Sequence, residues 1–429
     1  MSGFIDKDLV FGTHILMSGA DALAWKYRMS TATLETVLIS TLVSNAIDLP
    51  IYFPDDAHYG LLTAVDKLDG VHIIGNSQIG NHPVGRPSSP TSVMHHIVCT
   101  NVSDFTNPAS WVQGDEPMTG TDTSAVGSTY TYHAVDRLSD GNLIWFATQE
   151  DNPTDNAGRD ITAWQTNGGH TFTLPLASLT GVAATEGVLV ECTDDGVGSG
   201  SPDLWYWQAI LVQPGAGAGG SDRIHVTGLA RDDWTLLSTE QQPLYFYMDT
   251  NARGSWFAGD GTALTMPLTS ANWSAAIIPG TSGTGLHGWD FMNVTSAGGV
   301  TMCYFDGTNY TEYTITAGVW TTGTMAAITG DMVRKWRLKL PNGNFTVWYS
   351  SISPLSQRVL ITRSTLAQTV RLGPGVKFGS LVGSSYAASF AIGPDPVLLR
   401  EQGYLFCCIG EGDTPKMYRF PDPLGYRGN

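Results

Sequence analysis

The sequence predicts an all-β fold, a β-propeller of seven blades, and three observations predict it. Charged residues are only 14% of the 429-residue chain, while glycines number 49 and tryptophans 13; an ordinary globular protein carries roughly a quarter charged residues. That composition suits short strands and tight turns better than helices with charged outer faces. One hairpin pattern also recurs, an acidic or polar turn ending in glycine and then a run of apolar, aromatic and β-branched residues. The copies lie about forty to seventy residues apart, a spacing that accommodates the four-stranded blade of a closed ring. Helical solenoids fit poorly, because the 3.6-residue period is scarce and Gly, Pro, Thr and Trp are frequent.

In chain order, the first 45 or so residues precede the rhythm and are expected to be an attachment arm or strands that close the ring, with the propeller over 46–429. Within that region, "STATLETVLISTLVSNA" (Ser30 to Ala46) fits helix and strand equally, being amphipathic but β-branched. The hairpin copies are "DKLDGVHIIGN" near Gly70, "DRLSDGNLIWFAT" near Gly141, "DDGVGSGSPDLWYWQAILV" with Gly196, "DTNARGSWFAGDG" near Gly254, "TSAGGVTMCYFDG" near Gly299, "LPNGNFTVWYSS" near Gly343 and "LREQGYLFCCIG" near Gly403. "WQTNGGHTFTL", with Thr166, Asn167, Gly168, Gly169, Thr171 and Phe172, resembles a degenerate Asp-box, the hairpin of sialidase-type propellers; Asn stands for its aspartate and Phe for its tryptophan. The segments Asn101 to Thr129 and Gln213 to Asp222 read as loops, and neither marks a domain boundary.

The formal net charge of −17 would repel a polyanion, so nucleic acid is not an expected partner. No run of about 18 apolar residues exists, so no membrane span is expected. The start, "MSGFIDKDLVFGTHILMSG", lacks a basic leader and is broken by Gly12 and His14, which does not fit a secretory signal. The five cysteines are odd in number and show no C-x-x-C spacing, which argues against a disulfide framework and a zinc site.

The stretch Pro54 to Glu150 resembles the BNR-4 type of propeller, a group that includes ulvan-lyase-like polysaccharide lyases. "DDAHYGLLTAVDKLDGVHII" resembles that family's histidine, strand and acidic-glycine hairpin; "NSQIGNHPV" resembles its second histidine; "NPASW" (Asn107 to Trp111) and "STYTYHAVDRLSDGNLIWFAT" resemble the phrases that follow. The family's lyases act on uronic acids with histidine and tyrosine as acid–base groups, while cations neutralise the carboxylate. The resemblance therefore implies His58, His82 and Tyr132 as catalytic residues and Tyr130 as a substrate contact. Where the family shows an arginine after its second hairpin, this chain has Gln149 and Glu150. Arg159 is the cation nearest in sequence that offers itself in that role.

Other groups have less specific readings. His95 and His96 are adjacent, so on a strand they face opposite ways, which does not suit a metal site. The oxygen-rich loops with Asp151, Asp155 and Asp160, and with Asp194, Asp195 and Asp203, suit calcium by ligand type but lack EF-hand spacing. No metal and no cofactor is expected, calcium being the one ion those loops would take. Trp205, Tyr206 and Trp207, and Arg253 with Trp256 and Phe257, offer either core packing or platforms for sugar rings; Arg253 and Trp256 are taken as substrate-binding candidates. No G-x-S-x-G, Walker or dinucleotide motif occurs.

Two functions are compatible with these residues. One is a phage tail or fibre protein, made in the host cytoplasm and acting outside it as part of the virion. Its propeller would bind a host cell-surface polysaccharide, with other tail proteins and further copies of itself as partners. The other is a polysaccharide lyase acting by β-elimination through His58, His82 and Tyr132. The strongly acidic balance and the missing arginine favour binding.

Overall fold

A computed structural model of the protein describes residues 2–4, 8–15, 22–42, 62–78, 92–113, 129–150, 161–173, 188–190, 203–231, 242–266, 273–280, 292–294, 298–305, 310–324, 332–340, 343–351, 357–363, 366–371, 388–391, 404–409 and 415–420. The described strands form seven antiparallel sheets, each built from consecutive strands. The first sheet is β1 (Ser2–Phe4), β2 (Leu9–Ile15), β3 (Ala22–Arg28) and β4 (Thr33–Leu38), followed by one helical turn, α1 (Ile39–Leu42). The second is β5 (Leu62–Val65), β6 (Val71–Gln78), β7 (Ser92–Cys99) and β8 (Trp111–Gln113). The third is β9 (Thr129–Arg137), β10 (Leu143–Glu150), β11 (Ile161–Thr166) and β12 (Phe172–Thr173), with β13 (Val188–Val190) also paired to β11. The fourth is β14 (Asp203–Gln213), β15 (Arg223–Arg231), β16 (Gln242–Asp249), β17 (Trp256–Ala258) and β18 (Ala263–Leu264).

The fifth sheet is β19 (Met292–Val294), β20 (Val300–Phe305), β21 (Tyr310–Thr316) and β22 (Val319–Thr324). The sixth is β23 (Met332–Leu340), β24 (Gly343–Ser351), β25 (Gln357–Arg363) and β26 (Leu366–Arg371). The last is β27 (Ala388–Ala391), β28 (Tyr404–Ile409) and β29 (Pro415–Phe420).

The leading strands of neighbouring sheets meet: β1 touches β5, β5 touches β9, β9 touches β14 and β14 touches β19, while β27 touches β23, β1 and β2. This is the arrangement of a β-propeller. Residues Ser2–Leu38 make a sheet of their own, in contact with both the second and the last. The ambiguous stretch from Ser30 resolves into a strand, Thr33–Leu38, with a single helical turn behind it. Its β-branched residues are satisfied by pairing with β3.

The period-2 alternation of each strand feeds two interfaces at once. In β6, Val71 and Ile73 join Leu9, Phe11, Ala24 and Val37 of the first sheet. The next-door Ile74 faces the third sheet, with Leu143, Trp145, Trp164 and Phe172. In β10 the alternates Ile144 and Phe146 point to the fourth sheet, against Ile224, Val226, Leu244, Phe246 and Trp256. In β16, Tyr245 points away from them, to Val300, Met302, Tyr313 and Ile315 of the fifth. A strand buried on both sides reads as a near-continuous apolar run, which is why "NLIWF" and "PLYFYM" lack polar alternates. Each large side chain buried this way contributes about 1.5–3 kcal/mol.

The acidic-glycine turns have one mechanical role, to hold hairpin ends with carboxylate oxygens. Asp66 Oδ1 accepts from the backbone N–H groups of Leu68 and Gly70 at 2.8 and 2.9 Å. Asp140 Oδ1 accepts from Asn142 N and Asp260 Oδ1 from Thr262 N, both at 2.9 Å. Two further aspartates link sheets: Asp136 Oδ2 accepts from Val212 N, and Asp222 Oδ2 from Ser139 N, at 2.8 Å each.

Candidate functional site

The hairpins give the second and third sheets two unlike ends. At one end lie the turns Val65–Val71 and Arg137–Leu143 and the end of β11 at Thr166. His170, on the β11–β12 turn, bonds Asp66 on the β5–β6 turn, so these ends share one side of the molecule, the turn face. The opposite ends therefore share the other side. There β5 begins at Leu62 and β6 finishes at Gln78; β9 begins at Thr129 and β10 finishes at Glu150.

Of the expected catalytic residues, Tyr132 is the one on a described strand, β9, which begins at that second face. His58 lies just ahead of β5 and His82 just after β6 in sequence, and both fall outside the described residues, as does Arg159. Tyr130 and Tyr132 lie on β9. Ala147 pairs with His133, but Gln149 pairs with Tyr130. Thr131 and Tyr132 thus stand opposite Thr148 alone, which is a β-bulge. Bulges bend a strand and re-aim its side chains, and they gather at functional rims. Glu150 pairs with Thr129, so a carboxylate-bearing residue, not a cation, sits beside the tyrosines in the register.

The two remaining candidates are not brought to this face. Trp256 is fully buried, 0% exposed, and packs edge-to-face on Phe246 at 5.1 Å. No part of its ring is left for a sugar; the alternation of β17 turns it inward. Arg253 follows β16 and donates from Nη2 to Gln165 Oε1 at 3.2 Å and from Nε to Thr250 O. Gln165 is one residue from the turn-face end of β11, so Arg253 ties the fourth sheet to the third on the side away from Tyr130.

A buried polar group that sequence reasoning missed lies on the turn face. His72 Nε2 donates to Asp66 Oδ2 at 2.8 Å, and His96 Nε2 donates to His72 Nδ1 at 2.7 Å. His170 Nδ1 bonds the same Asp66 oxygen. Asp66 accepts only, so it fixes the His72 proton on Nε2 and leaves Nδ1 free to accept. Asp66, His72 and His96 are essentially sealed, at 1%, 0% and 0% exposure, and only His170 reaches solvent. The rings stack: His72 and His96 are nearly parallel at 5.0 Å, and Phe172 closes the group edge-on.

Register explains the meeting. His72 pairs with Val98 and Ile74 with His96, so the two histidines share a face as diagonal neighbours. Burial pushes the Asp66 carboxyl up, but hydrogen bonds from His72, His170 and the Gly70 N–H outweigh it and hold it at about 2. Burial lowers His72 against the pull of Asp66, and it lowers His96 further. A signal was present in "DKLDGVH" and "GGHTF", which carry Asp66, His72 and His170, but the distance between 66 and 170 hid their convergence. Asp66 Oδ2, His72 Nε2 and His170 Nδ1 are the donor atoms placed to hold a metal among the described residues.

No protein-family model matches the chain, and no curated protein does. Solved structures do. One is an ulvan lyase of a new polysaccharide lyase family bound to -[GlcA(1-4)Rha3S]-, with a TM-score of 0.62 at 13% identity over 98% of this chain and 91% of that one. Another is the polysaccharide lyase Uly1, with a TM-score of 0.54 at 14% identity over 97% and 88%. This chain is similar to them in fold along nearly its whole described length. No helix among the described residues is long and apolar enough to cross a membrane.

Proposed function

We propose that the chain is a glycan-binding β-propeller, one blade for each of the seven sheets, whose sugar site lies on the face where β5 and β9 begin. The observation that carries this is the bulge at Thr131–Tyr132, where the likeness to lyase propellers coincides with a distortion of the leading strand. Glu150 in the neighbouring register favours binding over cleavage, because a carboxylate there raises the cost of the charge that develops on a uronate during β-elimination. On this reading His58, His82, Tyr130 and Tyr132 bind a cell-surface polysaccharide. Arg159 is the cation nearest in sequence to β11.

The finer assignment is a phage tail or fibre protein, assembled with other virion proteins and with copies of itself, and acting outside the cell. It is supported by the low-charge, Gly- and Trp-rich β composition together with the free, buried Cys99. The second reading, a lyase using His58, His82 and Tyr132, is favoured by the fold likeness to two polysaccharide lyases.

Incubation with host-derived and uronic-acid polysaccharides tests both, with retained glycan and absorbance from new unsaturated ends followed together. Retention without new double bonds is expected. Double bonds abolished by His82→Ala would make the chain a lyase, and no retention of any polysaccharide would sink both readings.

A further inference from the structure

We propose that Asp66, His72 and His170 form a zinc site on the turn face that clamps the second sheet to the third, with His96 orienting His72 from behind. Asp66 Oδ2, His72 Nε2 and His170 Nδ1 lie within 4.8 Å of one another. Two imidazole nitrogens and one carboxylate oxygen match the three-ligand sets that zinc takes when one position is left to solvent. Calcium and magnesium prefer oxygen alone, so the donor set selects against them.

Each donor is held by a separate element. Asp66 has its other oxygen committed to Leu68 N and Gly70 N, so it offers one oxygen and cannot chelate with two. His72 comes from β6. His170 comes from the neighbouring sheet. Gly70 makes the convergence possible: a Cβ there would overlap His170 Nδ1 and lie 2.7 Å from Asp66 Oδ2. His170, at 28% side-chain exposure, marks the solvent side, where a water completes the set.

The dimensions are close to those required. Zinc bonds of about 2.0–2.2 Å at tetrahedral angles separate ligand atoms by about 3.3 Å. Asp66 Oδ2 and His72 Nε2 stand 2.8 Å apart, so that pair must spread by about 0.5 Å, and the shorter Asp66–His170 contact must open further. Metal-bound histidines usually donate their second N–H to an outer partner that fixes the ring. His96 fills that place. When zinc replaces the proton on His72 Nε2, His72 Nδ1 takes the proton of His96 Nε2 and donates it back along the same 2.7 Å bond. The displaced proton ends on His96 Nδ1, the buried nitrogen that has no hydrogen-bond partner among the described residues. His170 loses its Nδ1 proton to solvent or carries it on Nε2.

The test is zinc titration of the full-length protein after dialysis against a chelator, read by competition with a chromophoric zinc indicator. One zinc per chain is expected, with a melting temperature raised by about 3 °C at a hundredfold excess over Kd. Cobalt(II) in its place should show the visible bands of a tetrahedral site. His170→Ala, which changes only the part-exposed ligand, should lose at least tenfold in zinc affinity and lose the cobalt bands. No uptake, uptake unchanged in His170→Ala, or an octahedral cobalt spectrum in the unsubstituted protein would overturn the proposal. The cobalt spectrum decides the matter even where the variant does not fold. Failure here leaves the glycan reading untouched, because that reading concerns the opposite face.

Discussion

Gly70 shows how much one missing methyl group decides. Its backbone N–H caps Asp66, and the space over its Cα is filled by the His170 ring. Gly70→Ala should cost about 1–3 kcal/mol by overpacking, read as a lower denaturation midpoint in urea with an unchanged slope. The buried histidines set a pH dependence. His72 and His96 bind protons less readily in the folded chain than their ordinary 6.5. Below that pH the unfolded chain holds more protons, so acid favours unfolding. Asp66 acts in the same direction but in a lower window: its contribution is full above 3.8 and is lost as pH falls through about 2. In chelator, stability should therefore fall between pH 7.5 and pH 5.5 by up to about 1.4 kcal/mol per pH unit for each histidine, read as a lower melting temperature. His96→Leu should flatten that slope; an equal slope in the variant would place the titration elsewhere.

Among the elements, the turn-face aspartates are the joints between sheets. Asp222 is buried and accepts from Ser139 N and Gly215 N with its two oxygens. Asp222→Ala orphans both donors and should cost about 1–3 kcal/mol. Hydrogen exchange would show the loss at the Arg137–Leu143 turn before it shows in β10. The bulge in β9 is an element-scale device on the other face. Deleting Thr131 would restore regular pairing with β10, keeping Tyr130 opposite Gln149 and placing Tyr132 opposite Thr148, and would remove the bend that the bulge puts in β9. Glycan retention should then fall at least tenfold with the fold kept; unchanged retention would remove Tyr130 and Tyr132 from the site. The element boundaries were partly legible. The acidic-glycine turns sit where "DKLDG" and "DRLSDG" place them, because a carboxylate capping its own turn is a local interaction. The stretch from Ser30 was not legible, since its strand owes its form to pairing with β3 and local propensity was silent between the two states.

For the molecule as a whole, neighbouring sheets depend on one another, because the second, third and fourth each bury both of their faces against the sheets beside them. Removing residues 1–42 would expose Val65, Val71, Ile73 and Ile97 of the second sheet, which pack on Leu9, Phe11 and Ala24. That truncation should abolish cooperative thermal unfolding altogether, and a shortened chain with a sharp transition would show that the first sheet is dispensable.

Composition and hairpin rhythm determined that this chain would be all-β and built from repeated antiparallel units, because turn chemistry and period-2 patterning act within a few residues of one another. The motifs between Pro54 and Glu150 separately carried the resemblance that implied Tyr130 and Tyr132. Only the tertiary structure decided which residues meet across sheets. Trp256 became core and Arg253 an inter-sheet tie on the turn face, because strand direction and alternation set where a side chain ends up. Asp66 found His170, 104 positions away, because ring packing brings two turns together at a separation that no local pattern encodes.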